Sequence, residues 1–148
     1  MKYIKEFKEL SKNDAHIAGG KGASLGEMLQ AGIPVPDGYV ITAESFEYFL
    51  KETDLIQEIQ AILDSVDTQA IHTVEKASDE IQKLILSAEM PKDIKEEIFQ
   101  HYETKEMHYV AVRSSATAED GADHAWAGQL DSFLNTTKGN LQENVKKC

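Results

Sequence analysis

Apolar residues fall at helical spacing through most of this chain and into short β-type runs at its two ends. Residues 2–7 read as a short strand. From Gly20 onward, Leu25, Met28 and Leu29 recur at i, i+3 and i+4, which predicts a helix with one apolar face. Gly32 stands where a left-handed C-terminal cap is wanted, and Pro34 and Pro36 prevent continuation. Residues 38–42 read as a strand, and Thr42 is placed to cap a helix carrying Phe46, Phe49 and Leu50 on one side. In the middle, Leu55, Ile59, Ile62 and Leu63 make one stripe, and Ile71, Val74, Ile81, Leu84 and Ile85 a second. Pro91 fits the first turn of a third helix with Ile94, Ile98 and Tyr102 facing inward. Core packing accounts for nearly all of these apolar residues.

Residues 107–114, rich in Val and Tyr, predict another strand, and residues 131–136 a partner for it. A small-residue loop, 118–129, lies between them. Lys138, Gly139 and Asn140 form a turn, and Leu141, Val145 and Cys148 mark a last helix that stops in mid-pattern. That interruption reads as the front piece of a longer chain. The fold class is therefore α+β: a small sheet with several packed helices, those of about residues 44–106 forming an insert between the two ends.

With 148 residues the chain is read as one domain, and 41% hydrophobic residues suffice for a core. No apolar run approaches a membrane span, and the N-terminus lacks a secretory signal, so a cytoplasmic protein is expected. The formal net charge of −11 repels nucleic-acid phosphates and anionic lipid, which excludes both as partners. Any phosphate site must then be local, built from a few cations and oriented N–H groups. The single cysteine, Cys148, rules out an internal disulfide and a cysteine metal cluster. The five histidines show no metal spacing, and no metal ligand is assigned.

Two stretches carry candidate chemistry. In the run from Gly19 to Ser24, glycines let backbone N–H groups of Gly20 and Gly22 approach a ligand, Lys21 adds a charge, and a helix N-terminus follows. It is not a Walker A loop, because Gly22 rather than Ser or Thr follows the lysine. Gly22 and Gly26, one turn apart, would equally serve close packing. In the run from Val110 to Asp120, a strand delivers Arg113 into a cluster of Ser114, Ser115 and Thr117, the donor set a phosphate oxyanion needs. The same hydroxyls would also satisfy a turn, and Glu119 or Asp120 would pair with Arg113 or touch a metal. Trp126 either stacks on a base or fills a core or cap position, while Gln129 and Ser132 offer unspecific hydrogen bonds. Together the two stretches point to a polyphosphate, ATP.

The stretches Gly19-Gly20-Lys21-Gly22-Ala23-Ser24-Leu25-Gly26-Glu27-Met28 and Gly32-Ile33-Pro34-Val35-Pro36-Asp37-Gly38-Tyr39 resemble the opening of the phosphoenolpyruvate synthase and pyruvate phosphate dikinase family. Val112-Arg113-Ser114-Ser115-Ala116-Thr117-Ala118-Glu119-Asp120 and Ala127-Gly128-Gln129 are similar to its second ATP-binding segment. Rifamycin phosphotransferases and glucan water dikinases share this module. The resemblance implies that residues 1–148 are the first subdomain of an ATP-grasp fold, with ATP between two lobes. It implies that Lys21 and Arg113, the assigned catalytic pair, contact ATP phosphates. It places Gly128 and Ser132 on the nucleotide site, to which the donors read from the residues themselves add Gly20, Gly22, Ser114, Ser115, Thr117 and Gln129. ATP's β-phosphoryl group would pass to a histidine on a swivelling domain and then to pyruvate or another acceptor. The second ATP-grasp lobe, with most of the magnesium ligands, the histidine domain and the acceptor-binding domain would follow Cys148. By itself this piece is expected to be inactive. The chain departs from the family between Asp120 and Ala127, where members commonly carry a proline and a phenylalanine, and at Leu130, where many are polar. Two other readings compete: a stand-alone nucleotide- or phosphate-binding regulatory module, and a helical domain whose acidic surface docks a basic partner.

Overall fold

The computed structural model describes residues 3–117 and 131–148. Strand β1 (Ile4–Glu6) runs antiparallel to β2 (Tyr39–Ile41), with Ile4 opposite Ile41. Between them lie two single 3-10 turns, Phe7–Glu9 and Lys12–Asp14, and helix α1 (Ala15–Gln30). The end of α1 is set locally. Gly32 takes φ +76°, its N–H donates to the Leu29 carbonyl, and the Ile33 N–H donates to the Met28 carbonyl, a Schellman cap.

Helices α2 (Ala43–Glu52), α3 (Leu55–Asp64), α4 (Ile71–Ser87) and α5 (Lys92–Thr104) follow. Strand β3 (Val110–Arg113) then pairs antiparallel with β4 (Ser132–Thr136), and α6 (Leu141–Lys147) comes last. Among the described residues the fold is α+β as expected, with its strands in two separate two-stranded sheets. Val112 faces Phe133 and Arg113 faces Ser132, whereas Val110 faces Thr136. The extra residue lies on β4, where Asn135 takes φ 53°.

One core ties the ends together. Ile4 from β1, Phe49 from α2, Ile94, Ile98 and Tyr102 from α5, and Leu141 from α6 are buried in a single cluster. The helical middle is therefore packed against both termini. The inward face of α5 matches its spacing, but the two preceding stripes do not lie wholly inside. Leu63, Ile71 and Val74 are exposed, as is Phe46 on α2, which stacks on Phe49. Helices α3 and α4 pack chiefly on each other, so Leu55, Ile59, Leu84 and Ile85 reach the core and Ile62 and Ile81 are half-buried, while Leu63, Ile71 and Val74 face solvent.

Three local expectations shift. Thr42 does stand at the N-cap of α2, but its hydroxyl makes no capping bond; it turns inward to the Tyr3 carbonyl at 3.3 Å and to the Ser45 hydroxyl at 3.0 Å. Pro91 is the N-cap of α5 rather than a first-turn residue, and its carbonyl accepts the Lys95 N–H. Residues 107–109 are not strand. The Met107 N–H donates to the Tyr102 carbonyl and the Tyr102 hydroxyl to the His108 carbonyl, folding the chain back before β3 begins.

Candidate functional site

Helix α1 is broken at Gly19, whose φ of 70° and ψ of 168° lie outside the helical region. Everything after it, from Gly20 on, is a new helical start, so the sequence placed the helix opening correctly and missed the turn that precedes it. The break is dictated by a neighbour. A Cβ on Gly19 would stand 2.2 Å from the Ser115 carbonyl oxygen and 2.3 Å from its Oγ. Only glycine combines that positive φ with that approach. Further along, a Cβ on Gly22 would meet Val40 at 2.8 Å and one on Gly26 the Leu10 carbonyl at 2.5 Å, so the glycine face of α1 lies hard against the first sheet and its turn.

The two motifs, nearly a hundred residues apart in sequence, are joined here by hydrogen bonds. Gly20 N–H donates to the Ala116 carbonyl at 3.1 Å. Gly22 N–H donates to Ser115 Oγ at 3.1 Å, and Ser115 Oγ donates to the Ala18 carbonyl at 2.7 Å. Lys21, half-buried, sits between the two bonded glycines. Arg113 is exposed at the end of β3, two residues before Ser115.

The second segment is fixed from its other side as well. Ser114 donates its N–H at 3.3 Å and its hydroxyl at 3.2 Å to the Asp131 carbonyl, next to Ser132 on β4. The Cys148 thiol donates to the same carbonyl at 3.5 Å. Partial burial pushes that thiol up from its ordinary range, the nearby Asp131 carboxylate adds to the effect, and smaller opposing pulls come from the Ser114 backbone N–H and from Lys21. Thr117 is exposed. Gly128 and Gln129, with Glu119, Asp120, His124 and Trp126, lie outside the described residues.

The family model described as pyruvate phosphate dikinase, AMP/ATP-binding domain, matches residues 15–148 and so takes in both joined motifs. The chain belongs to this family. Over its whole length it is 46% identical to a probable phosphoenolpyruvate synthase of Methanocaldococcus jannaschii, covering 13% of that protein. It is 42% identical to a probable phosphoenolpyruvate synthase of Methanothermobacter thermautotrophicus, covering 23% of it. It is 43% identical to the phosphoenolpyruvate synthase of Helicobacter pylori, covering 20% of it. The chain thus spans less than a quarter of the length of these curated relatives.

In this pyruvate phosphate dikinase-type domain, the groups that sequence reasoning missed are main-chain carbonyls: those of Ala18, Ala116 and Asp131. Every residue carries such a group, so nothing in the sequence marks these three. Among the described residues no helix is long and apolar enough to cross a membrane, and no three His, Cys, Asp or Glu side chains gather as a metal site.

Proposed function

We propose that this chain is the ATP-binding portion of a phosphoenolpyruvate synthase-like dikinase, residues 1–148 being the first ATP-grasp subdomain and the helices of about 44–106 its insert. The observation that carries the reading is the joint itself: the lysine-bearing turn and the arginine-bearing strand end meet through Gly20 and Ala116. On a chain of net charge −11, a polyanion binds only where cations are concentrated and held. The Lys21 ammonium and the Arg113 guanidinium would neutralise phosphate charge and align the phosphoryl chain, with Thr117 as a hydroxyl donor and Ser132, Gly128 and Gln129 along the nucleotide; Ser114, expected there too, spends its N–H and its hydroxyl proton on the Asp131 carbonyl. Electrostatic positioning of this kind is most of what phosphoryl transfer asks of a protein. Magnesium, when bound with ATP, would screen the remaining phosphate charge, and its protein ligands belong to other parts of the full enzyme. The acceptor chemistry, by way of a histidine on a swivelling domain to pyruvate, belongs to further domains of the same chain. The protein is read as cytoplasmic.

Titration of the chain with magnesium and a non-hydrolysable ATP analogue, followed by amide NMR, tests this. Shifts are expected in residues 19–24, 113–117 and 128–132. Lys21→Ala and Arg113→Ala should each weaken binding by about 10-fold or more, the worth of a hydrogen bond to a charged group. No shift in those segments with the analogue in large excess would overturn the reading, as would turnover of ATP to AMP with pyruvate by this chain alone for the division of labour.

A further inference from the structure

We infer that the Ser115 side chain is a positioning group, the pin of the joint that sets Lys21 against the Arg113 strand end, and is not itself a phosphate ligand. The inference rests on the nucleotide reading above. Phosphate oxygens accept hydrogen bonds, so a protein group binds them by donating. A serine hydroxyl has one proton and two lone pairs. The Ser115 proton goes to the Ala18 carbonyl at 2.7 Å, and one lone pair takes the Gly22 N–H at 3.1 Å. The single protons of Gly20 and Gly22 are likewise engaged, one on Ala116 and one on Ser115 itself. Three of the donors that the sequence offers to phosphate are therefore spent inside the protein.

What they hold is the backbone on both sides of Lys21. With Gly20 tied to Ala116 and Gly22 to Ser115, the Lys21 Cα has little freedom relative to the segment that begins at Arg113. The carbonyl of Ala18, turned toward Ser115 by the φ of 70° at Gly19, closes the joint from the other side. Two cations that must meet one polyphosphate are thereby pre-set, which removes an ordering cost at binding.

The test combines Ser115→Ala, Ser115→Thr and Gly19→Ala with two readouts on the 148-residue chain: amide exchange at Gly22 without nucleotide, and affinity for the non-hydrolysable ATP analogue. Ser115→Ala should speed Gly22 exchange and weaken the analogue, each by about 10-fold, the upper range for one hydrogen bond. Ser115→Thr, which keeps the hydroxyl, should restore both. Gly19→Ala keeps every polar group but puts a methyl 2.2 Å from the Ser115 carbonyl, and it should reproduce both changes. Combined with Ser115→Ala it should lose little more than the larger single variant, because both act on one joint. Weaker analogue binding with Gly22 exchange unchanged would make Ser115 a direct ligand and overturn the inference. Faster exchange with unchanged affinity would also overturn it, since the joint would then position nothing. A wild-type chain that shows no binding fails the nucleotide reading instead, and the exchange data still decide whether Ser115 pins the joint.

Discussion

Glu97 on α5 secures Ile4 on β1. One carboxylate oxygen accepts the Ile4 N–H at 3.3 Å and the other accepts the Tyr3 N–H at 3.2 Å. Ile4 is wholly buried, so this edge of β1 has its donors satisfied by a side chain from the helix it packs on. Glu97→Ala leaves two N–H groups without that partner and is expected to cost about 1–3 kcal/mol. Urea unfolding checks this; an unchanged midpoint would show that the carboxylate contributes nothing to the fold.

Acid should act on a different contact. Lys105 donates to both oxygens of Asp37, at 2.9 and 2.8 Å, and stands 3.5 Å from Glu6. The Lys105 ammonium holds the Asp37 carboxyl below its ordinary 3.8 against an opposing cost of burial, and Lys8 chiefly lowers Glu6. A carboxyl lowered in the folded state stabilises fully above its ordinary value, and the contribution disappears as pH falls through the folded value. Stability should therefore drop below about pH 4. Asp37→Asn should flatten part of that drop while lowering stability at neutral pH, which pH-dependent thermal melts would register. An acid limb identical in the variant would sink the assignment.

Alkali should act at Tyr39, whose hydroxyl donates to the Ile98 carbonyl at 3.1 Å. Burial pushes this phenol from 10.0 up to about 12. For a group raised in the folded state the stabilisation is complete below the unfolded value and is lost as pH rises toward the folded one. Unfolding should steepen between those two values. Tyr39→Phe should lessen that steepening and leave the part due to Tyr3 and Tyr48, whose phenols are raised as well; an alkaline limb unchanged in the variant would place its origin in those two groups alone.

Gly32 permits a clean separation of backbone strain from packing. Its φ is +76°, and a Cβ there would have nothing within 4 Å. Gly32→Ala should cost about 1 kcal/mol through the left-handed backbone alone, and Gly32→Asn less. A loss in the alanine variant no larger than in the asparagine variant, read from denaturant midpoints, would contradict this origin.

Much of the local structure was legible in the chain. The Gly32 cap needs only glycine after an apolar face, because the bonds it makes reach back no further than Met28. Ile94, Ile98 and Tyr102 point inward as their spacing says. The same periodicity misled at Ile71 and Val74, which are exposed. A stripe declares that a helix has an apolar side but says nothing of how far its neighbours extend to cover it. Thr42 shows a second limit: its sequence position is that of a cap, yet the carbonyl of Tyr3, just before β1, draws its hydroxyl away from the helix.

At the candidate site the division is sharper. The sequence by itself determined that a lysine lies on a glycine-rich helix start, that an arginine ends a strand before three hydroxyls, and that an acidic chain needs such cations to hold a polyanion. Those are properties of neighbouring residues, and spacing reports them. Which hydroxyl is consumed inside the protein was decided by tertiary structure alone. The Ser115 proton goes to Ala18, 97 positions away, because the positive φ of Gly19 presents that carbonyl and the absence of a Cβ lets the two segments touch. A hydrogen bond to a distant main-chain carbonyl leaves no mark on side-chain order, and only the folded backbone brings it into being.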